Sequence, residues 1–237
     1  MPATLLVEPT PDDAILRRTM VDCQIRTFDV TNHAIIARFL DVPRENFLPA
    51  ELASVAYSDM ALKLAPEPAD TESRVLLTPA VLARLMQAAA IKPGDKILDI
   101  ASATGYSTAI LAGLAKEVVA LESSPTRSGM IKANLASIGI SAVHVLTGPL
   151  ADGAAAEGPF DVIFVNGAVE SRLDRLFQQL RPAGRLLTIQ HLTEAPGAGA
   201  SHAVRFESQS GRISSVILFD AGASVLTEFR KPAEFVF

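Results

Sequence analysis

The chain is expected to fold as an α/β protein: a doubly wound, mostly parallel Rossmann-like sheet with helices on both faces. Three observations lead there. From Lys96 onward, short apolar segments alternate with amphipathic ones. Those apolar segments are hydrophobic throughout rather than at every second residue, as strands covered on both faces must be. The turn after the first of them is built of small residues and opens a helix, the usual place for a ligand in such folds.

Taken in order, residues 1–11 read as a loose, proline-containing lead. Asp12 or Asp13 then caps a helix reaching about Thr27, and a second helix fits residues 31–40 with Thr31 as its cap. Residues 42–49 lie between prolines and form a turn or short helix, with Arg44 and Glu45 as a local ion pair; residues 66–73 form a loop. Thr78 caps a strong helix with Pro79 at its first position. Strands follow at 96–100, 117–121, 142–146, 160–165 and 185–189, with helices near 104–115, 125–137 and 171–179. Residues 204–207 and 213–219 alternate in polarity around Ser210-Gly211 and read as a closing β-hairpin. Residues 1–78 are therefore an N-terminal helical extension that packs on the core and contributes to the cleft. Residues 79–237 are the α/β domain, and the two make one compact unit.

Composition narrows the function. Of 237 residues, 49% are hydrophobic and 20% charged, which suits an ordered globular chain. The net charge of −5 lacks the basic footprint of a nucleic-acid binder. No apolar run approaches the ~20 residues that span a bilayer, so no membrane partner is expected. One cysteine, Cys23, permits neither an intrachain disulfide nor a multi-cysteine metal site. His33, His144, His191 and His202 lack ligand spacing, so no metal is expected. Cytoplasm is the expected location, and a monomer or a homodimer the expected state.

The most informative segment is Ile97-Leu98-Asp99-Ile100-Ala101-Ser102-Ala103-Thr104-Gly105-Tyr106-Ser107. Small residues there let a ligand approach the backbone. Glu122, followed by Ser123, stands after the second strand, where a carboxylate can accept both hydroxyls of a ribose. The spacing is neither the G-x-G-x-x-G nor the G-x-x-x-x-G-K-[ST] phosphate cradle. An adenosine ligand without a pyrophosphate, S-adenosylmethionine, makes fewer demands on such a turn and is the expected cofactor.

With that turn in place, the chain from about Arg18 to Phe229 resembles the protein-L-isoaspartate O-methyltransferases. The resemblance rests on Met20-Val21-Asp22-Cys23-Gln24-Ile25-Arg26, on Val42-Pro43-Arg44-Glu45-Asn46-Phe47-Leu48-Pro49 and on Ala56-Tyr57-Ser58-Asp59. It continues through Pro159-Phe160-Asp161-Val162-Ile163 and the segment Gln179 to Leu186. It implies methyl transfer from S-adenosylmethionine to the carboxylate of an isoaspartyl residue in a protein or peptide. It also implies a cofactor site of Asp99, Ala101, Ser102, Ala103, Thr104, Gly105, Tyr106, Glu122, Ser123, Gly148, Pro149, Leu150, Asn166 and Gly167, with Tyr57 and Asp59 along a substrate cleft. Three departures stand out. The family's G-x-G-x-G reads Ala101, Ala103, Gly105; its "GDG" reads Gly148-Pro149-Leu150; and the serine of its active-site segment is Leu77, with Thr78 the nearest hydroxyl. These departures keep two alternatives open: a different methyl acceptor, or a regulatory binding protein without turnover.

Overall fold

The computed structural model describes residues 11–65, 72–192, 200–209 and 211–232. Residues 1–10 of the expected lead at 1–11, most of the expected loop at 66–73 and Ser210 of the hairpin turn lie outside the described residues; Pro11 already begins a helix.

Helix α1 (Pro11–Met20) runs on through a π turn (Val21–Ile25) and a 3-10 turn (Arg26–Phe28). Helix α2 (His33–Asp41) is capped by Asn32, one residue later than expected, because the Asn32 carboxamide oxygen accepts from the amides of Ala34 and Ile35. Two 3-10 segments, Arg44–Phe47 and Ala50–Val55, follow. Strands β1 (Leu62–Leu64) and β2 (Arg74–Leu76) then pair antiparallel in a small sheet that the sequence does not announce. Helix α3 (Pro79–Ala88) starts at the expected Thr78–Pro79 boundary, with the Thr78 hydroxyl accepting from Val81 N–H at 3.3 Å.

Next come β3 (Lys96–Ile100), α4 (Tyr106–Leu111), β4 (Glu117–Glu122), α5 (Pro125–Ser137), β5 (Val143–Thr147), β6 (Phe160–Val169), α6 (Asp174–Phe177), β7 (Leu180–Leu192), β8 (Ala200–Gln209) and β9 (Arg212–Asp220). They build one sheet in the order β5-β4-β3-β6-β7-β8-β9, parallel from β5 to β7 and antiparallel through the closing hairpin. The chain leaves β3 towards β5 and returns on the other side to β6. The topological switch point therefore lies at the carboxyl ends of β3 and β6.

Side chains along the buried central strands alternate between two cores. Ile97, Val118, Ala120, Val162 and Phe164 join a core with α3, α4, α5 and the N-terminal helices. Leu98, Ile100, Val119, Leu121, Ile163 and Val165 join a second core, covered by α6, Leu150 and the C-terminal Leu226 and Phe229. The first core carries the long helices, the second mostly short pieces. Among the described residues no helix is long and apolar enough to cross a membrane.

Arg44 ties the N-terminal part to the sheet domain. It is fully buried, donating from Nε to Ala56 O (3.0 Å) and from Nη2 to Leu77 O (2.9 Å). Its guanidinium also lies 4.7 Å from the centre of the Tyr106 ring. The expected Arg44–Glu45 pair does not form. A cation beside two inward-facing carbonyls goes inside, while Glu45 takes the Tyr57 hydroxyl and Arg17. Replacing Arg44 by methionine strands two buried carbonyls, and the variant is expected to lose about 2–4 kcal/mol in chemical denaturation.

Candidate active site

At the end of β3 the backbone makes an alternating turn. Ala101 (φ 57°), Ala103 (φ 60°) and Gly105 (φ 96°) are all left-handed, so every second residue reverses the chain direction before α4 begins. The turn is fixed by Ala101 N–H to Leu121 O (3.0 Å), Gly105 N–H to Ser102 O (2.9 Å) and Thr104 Oγ1 to Phe47 O (2.6 Å). Only glycine adopts this conformation without strain, and a left-handed L-residue costs about 1–2 kcal/mol. The two alanines therefore sit in glycine geometry. Ala101→Gly and Ala103→Gly are each expected to stabilise the fold by about 1 kcal/mol, less whatever glycine adds to unfolded-state entropy, as read from denaturation midpoints.

Beneath the turn, Asp99 is fully buried. Its carboxylate accepts from Ser107 Oγ (2.8 Å), Thr108 Oγ1 (2.6 Å) and Asn166 Nδ2 (2.6 Å). Asn166 also donates to Ile100 O (3.0 Å), stitching β3 to β6 at the switch point. Burial raises the Asp99 carboxyl to about 6 despite these three donors, with the Glu122 charge adding to the rise. A carboxyl raised in the folded state adds stability at low pH and loses it as the pH climbs through about 6. Wild type should therefore weaken relative to Asp99→Asn between about pH 4 and pH 7, by up to about 3 kcal/mol, in denaturant unfolding across a pH series.

Glu122 ends β4 with no exposed surface. Its Oε1 accepts from Ala103 N–H (2.8 Å) and its Oε2 from Ser123 N–H (3.0 Å). Both oxygens also face Arg74, whose Nε and Nη2 stand at 3.2–3.3 Å. Arg74 is likewise buried and reaches Ser123 Oγ at 2.7 Å and Glu72 at 2.6 Å. Burial works against the Arg74 charge, but Glu122 and Glu72 outweigh it and lift the guanidinium above its ordinary value. Arg127 adds a bond to Glu72 O at 2.8 Å. Residues 72–78 thus cross the cleft as a strap held to β4 and α5.

What remains of the cleft is a cavity of about 10 Å³ among Arg44, Leu77, Ser102, Tyr106 and Asn166. That is room for about one water molecule. Among its lining residues Ser102 Oγ is buried with no partner among the described residues, while the buried Arg44 guanidinium and Tyr106 hydroxyl face each other. Burial pushes the Tyr106 phenol up to about 12, with the Arg44 charge pulling the other way.

Known proteins now bear on this geometry. The sequence profile described as protein-L-isoaspartate(D-aspartate) O-methyltransferase matches residues 17–194. The protein-L-isoaspartate O-methyltransferase of Koribacter versatilis is 32% identical over 87% of this chain and 88% of its own length. The chain belongs to the protein-L-isoaspartate(D-aspartate) O-methyltransferase family. A relative of the same name from Methylorubrum extorquens is 32% identical over 76% of each chain. The same fold appears in a solved protein-L-isoaspartate O-methyltransferase at a TM-score of 0.77, with 23% identity over 89% of this chain and 65% of that one. It recurs at 0.72 and 16% identity in a Plasmodium falciparum structure in complex with S-adenosyl-L-homocysteine, covering 91% of this chain and 98% of that one.

Against the expected site of this family, the structure groups residues 99 and 101–106, Glu122, Ser123, Asn166 and Gly167 around the ends of β3, β4 and β6. Gly148 follows β5, its amide bonded to Glu122 O at 3.0 Å, and a side chain there would meet Leu121 at an ordinary contact of 3.8 Å. Pro149 is exposed, and the Leu150 side chain lies in the core. Leu77 lines the cavity, whereas Thr78 is occupied in capping α3. Tyr57 and Asp59 do not line the cavity: Tyr57 is engaged by Glu45 and Arg17, and Asp59 is exposed. The expectation of no metal cluster meets one group at the opposite end of the strands, where Glu117, His144 and Glu157 hold ligand atoms within 4.8 Å of one another; Lys96 stands 2.6 Å from Glu117. The residues whose place at the site the sequence did not show are Arg44, Arg74 and Arg127. Only Arg74 stands beside an apolar run, Val75-Leu76-Leu77, which was the available signal.

The frame fits an adenosyl cofactor: a left-handed turn of small residues, a strand-end carboxylate and a partly exposed Gly148 beyond β5. One side chain conflicts with it. Arg74 occupies the oxygens of Glu122 that ribose hydroxyls would need.

Proposed function

We propose that this chain is an S-adenosylmethionine-dependent carboxyl O-methyltransferase acting on isoaspartyl residues of proteins or peptides, in the cytoplasm, as a monomer or homodimer. The observation that carries the reading is the Glu122 carboxylate at the end of β4, facing the left-handed turn at residues 101–105. Membership of the family supports the reaction class.

In this reading Glu122 and Ser123 hold the ribose, residues 148–150 beyond β5 flank the adenine side, and the turn at 101–105 lies against the methionine part, with residues 166–167 of β6 beyond it. The bound cofactor supplies an activated methyl group on a sulfonium. The chain's own residues have little acid–base work to do, because an isoaspartyl carboxylate is already ionised near neutral pH. Their work is alignment and exclusion of water, and alignment alone is worth up to about 7–11 kcal/mol in favourable cases. Leu77, buried against the cavity, keeps water out where the family has a serine. Residues of the N-terminal extension, Arg44 foremost, complete the wall of that cleft.

A second reading, a family member that binds its ligand without turnover, is favoured by the Arg74–Glu122 contact and by Leu77. One assay separates the two. Labelled S-adenosylmethionine with an isoaspartyl peptide and its aspartyl isomer should give a base-labile methyl ester on the isoaspartyl peptide alone. Cofactor binding without any ester would leave the second reading standing.

A further inference from the structure

We propose that Arg74 is an internal competitor for the cofactor site: its guanidinium occupies the Glu122 carboxylate, holds residues 72–78 across the cleft and sets how tightly an adenosine-type ligand binds. The inference rests on the methyltransferase reading above and deepens it.

Two independent observations converge. The first is the pairing itself. Glu122 is a fully buried carboxylate, and Arg74 presents Nε and Nη2 to it at 3.2–3.3 Å, also fully buried. A guanidinium fork and a ribose diol offer a carboxylate the same service, two parallel donors, so they exclude one another. The fork brings its strand along. Arg74 begins β2, and the next three residues, Val75, Leu76 and Leu77, line the remaining cavity. Glu72, two residues earlier, is held through Arg127 and the amide of Thr227.

The second is the cavity. A cleft lost to ordinary core packing would be lined by apolar atoms. This one, beside Val75, Leu76, Leu77 and Leu82, also buries Ser102 Oγ, which has no partner among the described residues, and the Arg44–Tyr106 polar pair, around space for about one water. Buried polar groups around so little room fit a larger site closed by its strap. Turning Arg74 outward frees the Glu122 oxygens.

A ligand that binds only the open form pays the population of that form, so its apparent dissociation constant rises by the reciprocal of the open fraction. Arg74→Gln removes the charge and the fork, and Arg74→Ala removes the occupant altogether. Arg74→Lys keeps a cation against Glu122, and with it the fold, but replaces the fork by a point charge.

The test is calorimetric titration of wild type and the three variants with S-adenosyl-L-homocysteine, with thermal unfolding confirming that each is folded. The expected result is weak binding by wild type, affinity at least about tenfold higher in Arg74→Gln and Arg74→Ala, and an intermediate value in Arg74→Lys. Equal, tight binding by wild type and variants overturns the competitor role and leaves the methyltransferase reading intact. Weaker binding by the variants overturns it by making Arg74 a ligand contact. Folded variants that remain silent at millimolar ligand overturn the competitor role and the cofactor assignment together.

Discussion

Glu122 is a full negative charge without access to water, and the centre of the molecule is arranged to answer it. An unpaired buried carboxylate would be too costly to keep ionised, so donors must converge on it. Two come from the backbone, the amides of Ala103 and Ser123, and they are available only because β3 ends in the left-handed turn and β4 stops where it does. The remaining valence is open to whichever forked donor reaches it. In the closed molecule that donor is Arg74, and the choice fixes the position of β2, the burial of Leu77 and the size of the cleft.

The turn shows how strongly topology constrains the backbone. Ala101 and Ala103 keep the left-handed conformation that glycine would adopt freely, because Ala101 must bond Leu121 and Ala103 must bond Glu122. Relaxing either residue would break a buried bond, and an unsatisfied buried carboxylate or carbonyl outweighs the torsional strain. Gly105 retains its freedom for an additional reason: a side chain there would press on Ile131 of α5 at 3.1 Å. Two of the three positions have thus absorbed a methyl group, while the third is closed by packing.

The sheet was legible in the sequence because its strands are apolar on both faces, and α3 because Thr78 caps it. Ser124 caps α5 in the same way, whereas α4 and α6 begin without a side-chain cap. At the second helix Asn32 prevailed over Thr31, since its carboxamide reaches two amides at once. What sequence could not show are contacts between segments distant along the chain. β1 and β2 are three residues each and have no pattern of their own. Arg44 and Arg74 look like surface cations until the fold brings carbonyls and a carboxylate to them. Candidate cofactor residues could be named from one contiguous turn; Arg74, which pairs with Glu122, came from 48 positions earlier in the chain.

The strap joins the two sides of the proposed site. Residues 72–78 carry Arg74, which contacts Glu122, and Leu77, which stands where the family places its active-site serine. Moving one moves the other, because only two residues separate them and Leu77 O is itself held by Arg44. Opening towards the cofactor therefore loosens the wall on the acceptor side, and an acceptor that packs on Leu77 favours whichever strap position it fits. Such coupling is reciprocal by thermodynamic necessity: whatever affinity the acceptor adds for the cofactor, the cofactor adds for the acceptor. In the proposed function the same short segment thereby governs when the two reactants can meet.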